Sequence, residues 1–332
     1  MNLQKQVNAY TLRNANGMRV QLLDYGATIA DIVVPDRAGV PQNVVLGFDS
    51  PEDYRQPGNP YFGATIGRFA NRIANGRFPL NGTEYRLSQN NHGHCLHGGF
   101  KGFDKVMWAV ESSTRNSLIL SCLSGDGEEG FPGEVHVQLT ASIGVANELS
   151  LHYRATTSKP TPLSLTQHSY FNLSGGAEPT VLNHLLQINA DRYTEVDAAL
   201  IPTGRLAEVS NGPLDFRELK PIGRDLSQLT AGYDHNFVLR NDSGVPAATV
   251  YYPGTGIQMD LFTTEPGLQV YTGNFLDGTL VGRQGVKYPR FGGFSLEPQQ
   301  FPDAPNQPAF PSAILMPGET YQQMSRYKFS VR

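Results

Sequence analysis

Apolar and polar residues alternate along much of the chain with a period of two. In EVHVQLTASI, residues 134–143, Val135, Val137, Leu139 and Ala141 share one side; in NELSLHYRAT, residues 147–156, Leu149, Leu151, Tyr153 and Ala155 do the same. Successive side chains of a strand point to opposite faces, so both stretches predict half-buried strands. The intervening GVAN predicts a hairpin connection. Near the start, VNAYTLRNANGMRVQLLDYG predicts two strands around the Asn16-Gly17 turn, where a positive φ costs little. Helical periodicity is scarce, and only PIGRDLSQLTAG, residues 221–232, predicts a short helix. Turn residues recur about every ten positions, the spacing of a large sandwich or barrel. No repeat, charge block or Pro/Ser linker marks a boundary, so residues 1–332 are expected to form a single all-β domain.

Composition narrows the class. With 39% hydrophobic and 17% charged residues the chain is expected to pack a core. The net charge of -4 argues against a nucleic-acid or membrane-surface partner, which calls for basic patches. Cys95 and Cys122 have no C-x-x-C spacing and predict two reduced thiols. The first residues, MNLQKQVNAYTL, contain no apolar targeting run and no long apolar stretch follows, so the expected location is the cytoplasm. The sequons at Asn81, Asn172 and Asn241 then read as chance matches.

Several stretches carry candidate chemistry. GDGEEG, residues 125–130, matches a dinucleotide fingerprint in letters alone: Phe131-Pro132-Gly133 follows where a helix should begin, and two glutamates would repel a pyrophosphate. It predicts a surface turn. NNHGHCLHGG, residues 90–99, gathers His92, His94, Cys95 and His97, either a metal site or a glycine-rich loop in which one histidine meets a ligand; no paired ligand motif supports the metal. In GRFANRIANGRF, residues 67–78, Arg68 and Arg77 are expected to be solvated, while Asn71-Arg72 offers several fixed donors for hydroxyl groups. GYDHNFVL presents Asp234 ahead of a strand, and GLQVYTGNFL places Gln269 within one. GGFSLEPQQFPDAPN puts Glu297 at the predicted end of an apolar strand, stiffened by Pro298, Pro302 and Pro305. The histidine of SLTQHSYFNLSGG, His168, reads equally as a packed residue, a metal ligand or a proton carrier.

Taken together, GATIGRFANRI, LHGGFKGFDKVMW, LTQHSYFNLSG, DHNF, GLQVYTGNFL and EPQQFPDAPN resemble, in order and over almost the whole chain, the aldose 1-epimerase (galactose mutarotase) family. The resemblance implies a large twisted antiparallel β-sandwich of the galactose mutarotase type, a free monosaccharide as substrate, and no cofactor or metal. It implies His168 as general acid and Glu297 as general base. Asn71, Arg72, His97, Ser169, Tyr170, Asp234 and Gln269 fall at positions similar to the family's sugar contacts. Gln167 stands where the family commonly has Asn, and Pro298 and Gln300 also depart from its commoner residues.

Interconverting the anomers of a hemiacetal requires a proton to leave the C1 hydroxyl as another reaches the ring oxygen. An ionised Glu297 and a cationic His168 suit those roles, the cation favoured by nearby Glu297 or Asp234 and the anion by Arg72 or His97. Tyr170 or Phe301 is expected against the apolar face of the sugar. The absence of a phosphate cradle favours a free hexose, though Arg68 and Arg72 together offer a phosphate site. Two rival functions share these residues: a glycoside hydrolase built on Glu297 and Asp234, and a non-catalytic sugar-binding module. A monomer or homodimer is expected.

Overall fold

The computed structural model describes residues 5–240 and 242–332; the Asn241 sequon lies outside them. The described residues form strands joined by turns and short 3-10 segments. Among the described residues, no helix is long and apolar enough to cross a membrane.

The largest sheet has nine antiparallel strands. It includes Ala109–Ser113, Ser117–Ser124, Val135–Gly144, Glu148–Thr157 and Tyr321–Val331, then continues through Ile257–Thr263 and Ala248–Tyr252. The predicted hairpin pairs Leu139 with Tyr153 and Ala141 with Leu151, so the alternating residues meet on one buried face. Its turn is closed by Asn147 in the left-handed region at φ 54°. The first two strands, Ala9–Arg13 and Arg19–Leu23, also pair antiparallel, with Gly17 at φ 87° between them. Residues 221–232 hold only the 3-10 turn Leu226–Gln228, not the expected helix. Gly223 and Gly232 leave few consecutive helix-favouring residues there, too little for a helical nucleus.

A second sheet of five strands carries the chemistry. Its order is Pro202–Glu208, Ala190–Val196, Asp234–Leu239, Gly267–Tyr271 and Ser295–Gln299. Phe237, Leu268, Val270 and Leu296 turn to the main apolar cluster. The opposite face is polar, and the register aligns it in rows: Asn236 with Gln269 with Glu297, and Asp234 with Tyr271 with Ser295. Glu297 thus sits in the middle of Ser295–Gln299 rather than at a strand end. The strand continues through Pro298 because it is the edge of this sheet, and the Pro298 carbonyl faces the Gln323 amide on the unpaired side, where a missing N–H costs no ladder bond.

Candidate active site

The polar face of the five-stranded sheet meets two loop segments that bring in the remaining groups. Thr65–Ile66 pairs with Thr166–Gln167, which anchors the histidine segment. His168 N–H donates to the Ala64 carbonyl at 2.9 Å and the His168 carbonyl accepts from Gly63 N–H at 3.0 Å. Gln167 completes this clamp, its amide donating to the Gly63 carbonyl and accepting from Ser169 N–H at 2.8 Å. Gln167 thereby fixes the backbone that carries His168.

Arg72–Ile73 pairs with Cys95–Leu96, which sets the asparagine–arginine pair against the histidine loop. His97 N–H donates to the Asn71 carbonyl at 3.0 Å, and Asn71 N–H donates back to His97 Nδ1 at 3.2 Å. Gly98 follows at φ 89°, where a Cβ would collide with the Gly67 carbonyl, so the turn admits only glycine. Beyond it, the Glu129 carboxylate accepts from Phe100 N–H at 3.0 Å and Lys101 N–H at 2.9 Å. The GDGEEG turn is thus a brace for the histidine loop.

Asn71, Arg72, His97, His168, Tyr170, Asp234 and Glu297 line one cleft of about 120 Å³. His168 Nε2 lies 3.6 Å from Glu297 Oε1, both side chains almost fully buried. On the other side of the imidazole, Nδ1 meets Ser295 Oγ at 3.4 Å. Tyr170 stacks on His168 with ring centres 5.1 Å apart at 26°, and its hydroxyl donates to the Pro60 carbonyl at 3.0 Å. His97 meets His168 edge-on at 5.3 Å. Gln269 does not line the cleft; its amide donates to Asp234 Oδ1 at 2.6 Å and holds that carboxylate in place. Ser169 is buried and also lies outside the lining.

Electrostatics departs from the expectation of a cationic histidine. Burial pushes His168 down to about 4. Burial, with the like charge of Asp234 second, raises Glu297 well above the usual carboxylate range, and Arg72 only partly offsets this. Both directions favour the neutral pair, imidazole beside carboxylic acid, and transfer of that proton across 3.6 Å would give imidazolium beside carboxylate at the same net charge. His97 is also held neutral, by burial first and by the nearby His168, Arg72 and Lys105 charges.

His97, His168 and Glu297 offer ligand atoms within 4.8 Å of one another, a set that resembles a metal site. The tautomer argues against it. Asn71 N–H occupies the Nδ1 lone pair of His97, so the neutral ring carries its hydrogen on Nε2. That nitrogen is a donor and has no lone pair for a cation. His94 is likewise engaged, Nδ1 accepting from Asn75 N–H at 3.0 Å, and His92 is exposed.

Other expectations are corrected by burial. Arg68 is 2% exposed rather than solvated. Its guanidinium donates to Ser124 Oγ at 2.8 Å, to the Pro132 carbonyl at 3.0 Å and to the Ser124 carbonyl at 2.9 Å, so it cannot join Arg72 in a phosphate site. Arg77 is exposed as expected, 3.7 Å from Glu84. Phe301 packs edge-on against Phe310 at 5.2 Å in a separate apolar cluster and does not line the cleft. Asn172 spends its amide on the Glu178 and Gly292 carbonyls, at 3.1 and 3.0 Å.

Tyr61, Tyr271 and Phe275 also line the cleft and carry no signal on their own. Tyr271 follows from the period-two rule, two residues beyond Gln269 on the same strand face. Tyr61 enters from a loop, its ring edge-on to His97 at 4.7 Å, and no local pattern announces it. A larger depression of about 720 Å³ lies elsewhere, but its Lys220 and Arg217 are neutralised by Asp225 and Asp215.

An all-β fold whose cleft sets two imidazoles, His97 and His168, beside two carboxyls, Asp234 and Glu297, has the groups that acid–base chemistry requires. The sequence profile of the aldose 1-epimerase family matches residues 8–328. The galactose mutarotase of Bos taurus is 47% identical over 95% of this chain and 92% of its own length. The aldose 1-epimerase of Escherichia coli K12 is 39% identical over 96% of this chain and 94% of its own. Among solved structures, the aldose epimerase homologue from C. elegans superposes with a TM-score of 0.93 at 32% identity, covering 98% of this chain and 99% of that one. The chain belongs to the aldose 1-epimerase family. It is an isomerase that interconverts the anomers of an aldose.

Proposed function

We propose that Glu297 and His168 are the base and the acid of this reaction and that the substrate is a free aldohexose such as galactose or glucose. The observation that carries the reading is the 3.6 Å approach of His168 Nε2 to Glu297 Oε1 inside one cleft. In the imidazolium–carboxylate form, Glu297 removes the proton from the C1 hydroxyl, the C1–O5 bond breaks, and His168 delivers its proton to O5. The products are an open-chain aldehyde with a C5 hydroxyl, a neutral imidazole and a carboxylic acid. Rotation about C1–C2 presents the other face of the aldehyde. His168 then removes the O5 proton, O5 attacks C1, and Glu297 protonates O1. Ring opening moves one proton from O1 to Glu297 and another from His168 to O5, so the dyad keeps its net charge throughout, which suits a pocket that penalises either charge alone.

The other groups fit a neutral polyol. Arg72 lies in the lining and donates through Nε to Asn91 Oδ1 at 3.4 Å, Asp234 is held by Gln269, and His97 presents Nε2–H. Arg68 is spent on the protein, which favours a free sugar over a phosphorylated one. The cleft draws on segments from Pro60 to Glu297, which supports residues 1–332 as one domain; we take it to act as a cytoplasmic monomer or homodimer.

Polarimetry tests the assignment. Freshly dissolved α-D-galactose or α-D-glucose should reach equilibrium faster with the protein, and an aryl galactoside should stay intact. His168→Asn and Glu297→Gln should each lose about 10²- to 10⁴-fold in rate. Folded variants that both retain the wild-type rate would end this reading.

A further inference from the structure

Behind the catalytic dyad lies a buried carboxyl group that the mechanism above does not use. Glu265, 2% exposed, sits in the turn between Ile257–Thr263 and Gly267–Tyr271. One of its oxygens, Oε2, accepts from the Gln300 amide at 2.7 Å. The other, Oε1, lies 3.2 Å from the Tyr321 hydroxyl. That hydroxyl also accepts from Leu165 N–H at 3.3 Å and lies 3.3 Å from Gln323 Oε1. The Gln323 amide in turn donates to the Pro298 carbonyl at 3.1 Å. Leu165 precedes the His168 segment and Pro298 follows Glu297, so the Tyr321 hydroxyl links the two segments that carry the proposed acid and base.

Hydrogen counting decides the state of this network. Tyr321 has one hydroxyl hydrogen and faces acceptor oxygens of both Glu265 and Gln323. If Glu265 is ionised, one of those buried oxygens goes without a donor. If Glu265 carries a proton on Oε1, it donates to Tyr321, Tyr321 donates to Gln323, and every group is paired. We propose that Glu265 is a positioning residue, a buried carboxylic acid whose proton completes the Tyr321–Gln323 chain and thereby sets Glu297 against His168.

Burial raises Glu265 to about 7, while its hydrogen bonds from Tyr321 and Gln300 oppose the rise. No charged side chain among the described residues contributes to that shift. The titratable neighbours are Tyr321 and, beyond it, Tyr153, both held neutral by burial. The inference rests on the proposed dyad for its link to activity, but the protonation state of Glu265 stands apart from it.

Glutamine at this position mimics the protonated acid, donating through its amide to Tyr321 and accepting from Gln300. Glu265→Gln should therefore keep kcat within about twofold of wild type on the acid side of neutrality and lose the alkaline decline that Glu265 imposes. Glu265→Ala and Tyr321→Phe should lower kcat about 10- to 100-fold with a smaller change in KM. Infrared difference spectra of wild-type protein should show a carboxylic acid carbonyl band that titrates away with alkali and is missing from Glu265→Gln. An absent band overturns the assigned proton whether or not the protein turns over any sugar. A band that is present beside an unchanged alkaline limb in Glu265→Gln overturns the positioning role alone.

Discussion

A single hydrogen decides how His97 works. Because Asn71 N–H fills Nδ1, the ring faces the cleft as a donor, suited to a sugar oxygen and unsuited to a metal. His97→Gln keeps a donor at a similar reach and should raise KM less than His97→Leu, which removes one hydrogen bond and should raise it about tenfold. Initial rates over a range of galactose concentrations separate the two. Prolonged dialysis against EDTA should leave the mutarotation rate unchanged; a rate lost on dialysis and restored by zinc would refute the tautomer assignment. Gln167 shows how a departure from the family's common residue is absorbed: its amide holds the Gly63 carbonyl and Ser169 N–H on either side of His168.

At the level of elements, the site is a row of one sheet facing two strapped loops. Glu297 occupies its place because Ser295–Gln299 pairs with Gly267–Tyr271 in a register that aligns it with Gln269. A slip of one residue would turn the carboxylate into the apolar core. The loops depend on buried polar anchors. Arg68 ties its segment to Ser124 and Pro132, and burial lowers its guanidinium only to about 10, so it stays cationic beside Glu128. Arg68→Met should destabilise the protein by about 2–4 kcal/mol through unpaired acceptors, read as a lower urea midpoint. Its effect on the catalytic rate of the folded fraction should be small by comparison with His168→Asn.

Across the whole molecule, buried ionisable groups tie stability to pH in opposing senses. His184 is fully buried, its Nε2 accepting Leu173 N–H at 2.9 Å and its ring stacked on Tyr252 at 4.6 Å. Burial pushes it down to about 3. The folded state then binds fewer protons than the unfolded state below the ordinary histidine value of 6.5, so stability rises with pH. The contribution is complete above 6.5 and is lost as pH falls toward 3. His168, at about 4, adds to the same loss. Glu265 runs the other way: its contribution is complete below 4.5 and is lost as pH rises through about 7. Maximal stability should lie between these limbs. His184→Phe should cost about 1–3 kcal/mol at neutral pH by orphaning Leu173 N–H, with the gap to wild type closing as the solution is acidified. Thermal or urea unfolding across the acid range measures the convergence.

Alternation alone fixed the hairpin of residues 135–157, because a strand shows its burial pattern locally, and the ordered motifs pointed to His168, Glu297 and most of the other residues that line the cleft. What the chain could not show by itself was which polar residues were buried and what they faced. Arg68 and Phe301 read as surface and sugar-contact residues, yet one holds buried carbonyls and the other packs in a core. Tyr61 joined the cleft from a loop without any pattern. The protonation of His168, Glu297 and Glu265 was likewise invisible. Residue type sets only the starting affinity for a proton, whereas desolvation and the neighbouring dipoles and charges, brought in from distant strands, determine where that proton resides.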